Sequence, residues 1–451
     1  MRAIPIPDLV RAGRGADRWA HLSLMAVLLG LFTISWDRFA NFSAFGTFNV
    51  KLPILAFAAA LVLLTADAML KTRELPGRLP SWFIVSWSLA FATLLPVVWA
   101  LDQRAVMLQT STIVLGALMP AIATYLAVRR NDAVDEALTA WIRGGVLAAT
   151  FGLYQLAAFY NDWPQGIPEQ NTGGGFGRIS AFNYESGYFG YFMVMTLTAV
   201  IARARLRGAK IPVALFAYLL VVLFLANSRA TWLVVPVWLA LMVFRKPSRS
   251  WLVAASRKPS RETIVRAIVP IMTVALVVAS VAVAAPEFVG EFVDRLASIF
   301  DPNEQSSNSP RLDSLKAARS VFELHPWGVG AGNYYLYAPS YGVPLPGIGA
   351  SNQVVVNNIW LQALVDGGWL LLVAQAVFAL MALRMFFRRA MPVARSLMVG
   401  WISVLLVGGL IVSLFFDLKL WTLLALAAVA ATSERPPSLG EESPDPRLMV
   451  E

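Results

Sequence analysis

The chain has no cysteine and only two histidines, His21 and His325. Disulfides, thiolate catalysis, cysteine-ligated metals and a polyhistidine metal centre are therefore excluded. Charge is scarce too: 14% of residues are charged, against 58% hydrophobic. Soluble domains carry about 25% charged residues, so this is the composition of a polytopic membrane protein. Long polar stretches are also rare. The longest, residues 285–357, lies between apolar runs. A connector between spans needs only a few residues, so a folded segment of that length implies a task.

A spanning helix needs about 20 apolar residues. Twelve stretches are candidates: 19–36, 52–70, 81–101, 105–128, 137–160, 186–202, 211–227, 230–244, 265–284, 367–386, 396–414 and 418–432. The expected fold is an all-α polytopic membrane protein. It has about twelve transmembrane helices and one large extracytoplasmic loop, residues 285–357, containing short helices. Residues 1–18 read as a basic cytoplasmic leader without a cleavage site, 19–432 as the membrane domain, and 433–451 as a disordered cytoplasmic tail rich in Pro, Ser and Glu. No internal repeat supports an inverted-repeat transporter.

Basic residues set the orientation. With both termini inside, 27 of the 37 Lys and Arg residues fall on the cytoplasmic side, counting Arg143 at a span entrance. The asymmetry is strongest at Arg203 to Lys210, at Arg245 to Arg266 and at Arg384 to Arg395. The formal charge of +10 is thus mainly an orientation signal, with anionic lipid headgroups as natural neighbours. Nucleic acid is not an expected partner, because the basic clusters sit at span ends.

The outer segments hold the candidate chemistry. In PEFVGEFVDRLASIF, Phe288, Phe292, Leu296, Ile299 and Phe300 share one helical face, as in an interfacial helix or a packed loop helix. Ser309 and Pro310 suit the N-cap and first position of a helix through roughly Glu323. Arg311 would then sit in its first turn, beside free backbone N–H groups. That arrangement suits a phosphate or pyrophosphate, and a structural salt bridge is the competing reading. HPWGVGAGNYYLY is a glycine-rich turn carrying Trp327, Tyr334, Tyr335 and Tyr337, which could stack on sugars. Its spacing is not that of a dinucleotide fingerprint. In residues 161–185, Arg178 follows a glycine run and Glu185 stands at the mouth of the next span. Arg229 lies in the turn Asn227-Ser228-Arg229 between two apolar spans. An arginine placed there snorkels or meets an anion.

Three segments together resemble the O-antigen ligase and polymerase family. They are GRISAFNYESGYFGYFM, NSRATWL, and RLDSLKAARSVFELHPWGVGAGNYY followed by NNIWLQALVDGGWLLL. The first is similar to the family's Arg-Ile segment and Asn-containing turn, the second to its Ser-Arg-Gly/Ala turn. The third is similar to its large-loop Arg helix, its Pro-x-Gly-x-Gly-x-Gly-Asn turn, and its His-Asn-x-Tyr-Leu-Gln-x-Leu-x-Glu-x-Gly span start. The resemblance covers roughly residues 140–410. It implies a helical membrane glycosyltransferase without a nucleotide-sugar, metal or other cofactor. The implied donor is a glycan on undecaprenyl pyrophosphate, and the implied acceptor a glycan or a lipid. Membrane lipids and other polysaccharide-assembly proteins are the implied neighbours, and the bacterial cytoplasmic membrane is the implied location. The family's loop arginines map to Arg178, Arg229 and Arg311.

One departure bears on the reaction. Where lipid A–core ligases of the family have His before Asn, this chain has Asn357 before Asn358. An amide accepts no proton usefully near neutral pH, so Asn357 is not a general base. The expected function is therefore an O-antigen or exopolysaccharide polymerase acting with inversion, with a ligase as the alternative. Arg229 and Arg311 are the expected catalytic pair. Arg178, Glu185, Asp313, His325, Asn357 and Asn358 are the expected substrate-binding residues. A polar-lipid flippase is the competing class, although the only candidate intramembrane charges, such as Asp67 and Arg143, lie near cytoplasmic ends. A scaffold subunit with a degenerate site is a third reading.

Overall fold

A computed structural model describes residues 18–38, 41–44, 48–71, 80–167, 178–243, 305–343, 356–386, 392–411 and 417–433. Twelve helices account for most of them. They are α1 Arg18–Phe32, α2 Leu52–Lys71, α3 Ser81–Leu94, α4 Gln103–Arg130, α5 Val134–Tyr160 and α6 Ser186–Leu206. The rest are α7 Val213–Leu225, α8 Arg229–Val243, α9 Gln305–Leu324, α10 Ile359–Phe386, α11 Pro392–Ile411 and α12 Leu418–Ser433. Among the described residues, seven helices are long and apolar enough to cross a membrane, and α1, α7, α8 and α12 are shorter apolar helices. The expected span at 265–284 and the expected interfacial helix at 285–300 lie outside the described residues, as do 1–17, 245–264 and 434–451.

Burial separates central from peripheral helices. Some 83% of the central window of α6 is buried, against 33% for α2. An apolar helix without a polar face suits both positions, and small residues decide which one it takes. A Cβ on Gly190 would meet Thr231 at 2.2 Å, and one on Gly400 would meet Thr198 at 2.6 Å. These two glycines let α6 press against α8 and α11. Threonines in α6 then receive buried indole donors: Trp238 Nε1 donates to Thr198 Oγ1 at 2.9 Å, and Trp141 Nε1 to Thr196 Oγ1 at 3.3 Å.

The two ends of the bundle differ. At one, Asp135 at the start of α5 pairs with Arg203 and Arg207, and Asp67 pairs with Arg130. At the other, α9 and the glycine-rich turn pack on α10 through a second core of Ala317, Ala318, Val321, Val329, Tyr334 and Val365. This second end is called the loop end below.

Three expectations need correction. The fold is not wholly helical: Asn41–Ala44 (β1) and Phe48–Lys51 (β2) pair antiparallel at the loop end, with Phe42 opposite Val50. The helix expected to begin at Ser309–Pro310 begins at Gln305, so Arg311 lies beyond its first turn. The helical run ahead of Arg311 has consumed the backbone N–H groups expected to be free there. Finally, the helix expected from 367 starts at Ile359. Asn358 Oδ1 caps it, accepting from the Trp360 and Leu361 amides at 3.0 Å each. Gly368, at φ 63° and ψ −154°, then kinks the helix.

Candidate functional site

Residues 178–185 lead into α6 and are held by the flank of α5. Gln155 grips the backbone of Ala181 from both sides. Its Oε1 accepts from the Ala181 amide at 2.7 Å, and its Nε2 donates to the Ala181 carbonyl at 3.3 Å. A Cβ on Gly152 would meet Ile179 Cγ2 at 2.3 Å, so the glycine makes room for the strand of chain above it. Phe182 stacks on Phe151 with ring centroids 4.5 Å apart. The segment is thus rigidly seated, and it carries half-buried Arg178 at its start and exposed Glu185 at its end.

The Asn227-Ser228-Arg229 turn joins α7 to α8 at the same place. Asn227 is buried with φ 50°, a left-handed geometry that asparagine tolerates better than most residues. Thr231 Oγ1 donates to the Gly187 carbonyl at 3.5 Å, and a Cβ on Gly187 would lie 3.5 Å from Ser228 Oγ. The start of α8 is therefore packed on the start of α6. Two segments far apart in sequence, one bearing Arg178 and Glu185 and the other Arg229, meet at the N-terminus of α6. That terminus begins a 21-residue helix and lacks a side-chain cap hydrogen bond, so it carries a partial positive charge.

A cluster of buried charge lies against the same segment. Lys51 and Lys419 donate to the two oxygens of Asp37, each at 2.7 Å, and Lys419 also lies 3.4 Å from Asp417. Burial alone would raise the Asp37 carboxyl, but Lys419 and Lys51 outweigh it and hold the group below the ordinary carboxylate value. Burial likewise opposes the Lys51 ammonium, and Asp37 reverses that and raises it. The Lys51 ammonium lies 4.8 Å from the centre of the Tyr184 ring, next to Glu185 in the chain. This cluster escaped the sequence reading. Asp37 and Lys419 are 382 positions apart, and each alone reads as one charge at a span mouth.

The glycine-rich turn forms a separate wall. The Val329 and Gly330 amides donate to the Val365 and Asp366 carbonyls at 2.8 and 3.0 Å. Asp366 is buried, and its carboxyl is hydrogen-bonded by the Gln362 side chain and the Gly332 backbone. Asn333 exchanges two hydrogen bonds with the Asp102 backbone, at 2.7 and 3.0 Å, while Asp102 caps α4 through the Ala105 amide. The turn is thereby stitched to two membrane helices. Tyr334, expected as a sugar platform, is buried instead, with its hydroxyl on the Ser314 carbonyl at 2.7 Å. Trp327 stays exposed. With Trp99, Leu324, His325, Pro326 and Gly328 it lines an open cleft of about 460 Å³. The His325 ring meets Tyr337 edge-on at 5.1 Å.

The remaining expected residues divide. Asp313 is exposed on α9 and lies 3.8 Å from Lys316. Arg311 lies in the described backbone of α9, and its side chain is outside the described set. Asn358 spends its carboxamide oxygen on the α10 cap, and Asn357 before it is half-buried. A Cβ on Gly409 would meet Ile359 at 2.9 Å, so the α10 start is packed on the end of α11.

Residues 214–376 match the family model Wzy_C, described as O-Antigen ligase. No curated protein matches the chain. The matched stretch holds Arg229, Arg311, Asp313, His325, Asn357 and Asn358 and includes two of the three segments that resemble the O-antigen ligase and polymerase family, while the segment with Arg178 and Glu185 precedes it. The match covers 163 of the chain's 451 residues and makes that stretch similar to an O-antigen ligase, in a chain with seven helices among the described residues long and apolar enough to cross a membrane.

Proposed function

We propose that this chain, whose residues 214–376 match the O-antigen ligase family model, is a polysaccharide polymerase of the cytoplasmic membrane. It takes glycan repeat units from undecaprenyl pyrophosphate at the outer face. One observation carries the reading: the Arg178–Glu185 segment and the Arg229 turn meet at the N-terminus of α6. The acceptor hydroxyl oxygen attacks the anomeric carbon and forms the new glycosidic bond. The bond from that carbon to the pyrophosphate oxygen breaks, and the lipid pyrophosphate leaves with the electron pair. Developing charge on the leaving group is what the site must stabilise. Arg229 and Arg311 do this with planar, bidentate guanidinium groups, and Arg178 assists. Glu185, on the same rigid segment as Arg178, receives the acceptor proton. A single displacement of this kind inverts the anomeric centre.

Asn357 separates the polymerase reading from the ligase reading. It orients an acceptor hydroxyl without taking its proton. Asn357→Ala is expected to slow transfer by about fivefold, the equivalent of roughly 1 kcal/mol for one neutral hydrogen bond. Asn357→His is expected to add an imidazole-like step to the pH profile. Abolished transfer by intact Asn357→Ala protein would assign this position a larger role. The reaction class itself is tested with proteoliposomes supplied with undecaprenyl-pyrophosphate-linked repeat units. Chain growth marks a polymerase, transfer to a different acceptor a ligase, and translocation alone a flippase.

A further inference from the structure

The loop-end charge cluster leaves one buried donor without a partner among the described residues. Asp37 has both oxygens occupied by Lys51 and Lys419, and Asp417 is the second partner of Lys419. Arg38 follows directly in the chain. Its backbone N–H donates to the Phe182 carbonyl at 3.0 Å, which pins it to the segment between Arg178 and Glu185. Its Nη1 is buried and has no hydrogen-bond partner among the described residues. The surrounding charges are Arg38, Lys51 and Lys419 with the carboxylates Asp37, Asp417 and Glu185, all three of which lie near Tyr188. A buried guanidinium nitrogen left unsatisfied is costly. Its neighbour Asp37 is turned to the two lysines and makes no hydrogen bond to this nitrogen.

We infer that Arg38 is part of an anion subsite that takes a phosphoryl group of the lipid pyrophosphate. The inference rests on the donor proposed above and adds a residue that lies outside the matched stretch 214–376. The positioning is specific. Arg38 comes from the segment that follows α1, Arg178 from the approach to α6, and Arg229 from the α7–α8 turn. All three are held on or beside the 178–187 backbone by the contacts to Phe182 and Gly187. The Asp37–Lys51–Lys419 cluster serves as the foundation. It locks the chain on the N-terminal side of Arg38, whose Nη1 is the donor left over for a ligand.

The test uses the purified full-length protein in detergent, with farnesyl pyrophosphate and inorganic pyrophosphate as probes in calorimetric titrations. Arg38→Gln is expected to weaken farnesyl pyrophosphate binding by about tenfold, as for loss of a charged hydrogen bond, without lowering the Tm. Arg38→Lys is expected to weaken it less, because lysine keeps the charge but loses the fork. A loss confined to inorganic pyrophosphate would give the subsite to a free anion and overturn the lipid assignment. Equal affinity in wild type and Arg38→Gln would overturn the inference and leave the proposed function standing. Absence of binding by the wild type to either probe would overturn the proposed function itself. If Arg38→Gln does not accumulate, Arg38→Lys decides alone: weakened binding supports the subsite, and wild-type binding overturns it.

Discussion

Arg229→Lys and Arg311→Lys are each expected to lower transfer by about 10²–10³-fold, the range for removing one preorganised donor to developing charge. Protein levels are expected to stay normal. Lysine preserves the positive charge at both positions, so electrostatics at a distance survives. What is lost is the planar pair of N–H donors that matches two oxygens of a pyrophosphate at once. Arg229 is the better placed of the two by the described geometry. Its turn is fixed by buried Asn227 and by the Thr231 contact to Gly187. Near-wild-type transfer by both variants in membranes with equal protein would reduce these arginines to structural partners.

Gly368→Ala is expected to produce the largest loss of stability. Gly368 has φ 63° and ψ −154°, a region essentially closed to residues with a side chain. A Cβ there would sit 2.3 Å from the Pro326 carbonyl oxygen and 2.5 Å from the Trp327 carbonyl carbon. Both are backbone atoms that cannot rotate away. The strain of the conformation alone is worth about 1–3 kcal/mol, and the overlap adds to it. Gly342→Ala is the internal control. Gly342 has φ 79° but nothing within 4 Å of its Cβ position, so the cost is limited to about 1–2 kcal/mol of left-handed strain. Thermal unfolding in detergent distinguishes them: a large fall in Tm or loss of folded protein for Gly368→Ala, a small fall for Gly342→Ala. A similar Tm for both would mean that the α10 kink does not hold the glycine-rich turn.

The helical positions were legible because hydropathy reports span length directly. Where the sequence reading failed, the deciding interaction was non-local. Ser309 and Pro310 carry good helix-start chemistry, yet helix α9 begins at Gln305. Tyr334 looked like a surface aromatic, and its partner Ser314, 20 positions earlier on α9, buries it. The hairpin β1–β2 has only four residues per strand, too few for a period-2 pattern to stand out in a linker. The arginines were visible through their cost between apolar spans. The Asp37–Lys419 pair was not, since burial and pairing arise only when the segment after α1 meets the start of α12. The HPWGVGAGN turn was readable as a turn, while the Trp99 wall of its cleft was not, because Trp99 donates to the Gly328 carbonyl at 2.8 Å from 229 positions away.

The most direct measurement is the stoichiometry of the transfer step. Purified protein in proteoliposomes receives undecaprenyl-pyrophosphate-linked repeat units, with EDTA present. Released undecaprenyl pyrophosphate and new glycosidic bonds are counted together. One lipid pyrophosphate released per bond formed, with the anomeric configuration inverted and the rate insensitive to EDTA, is the expected result. It would show that guanidinium groups suffice for the leaving group. Bond formation without release of undecaprenyl pyrophosphate, retention of configuration, or no transfer by intact wild-type protein would contradict the proposed chemistry.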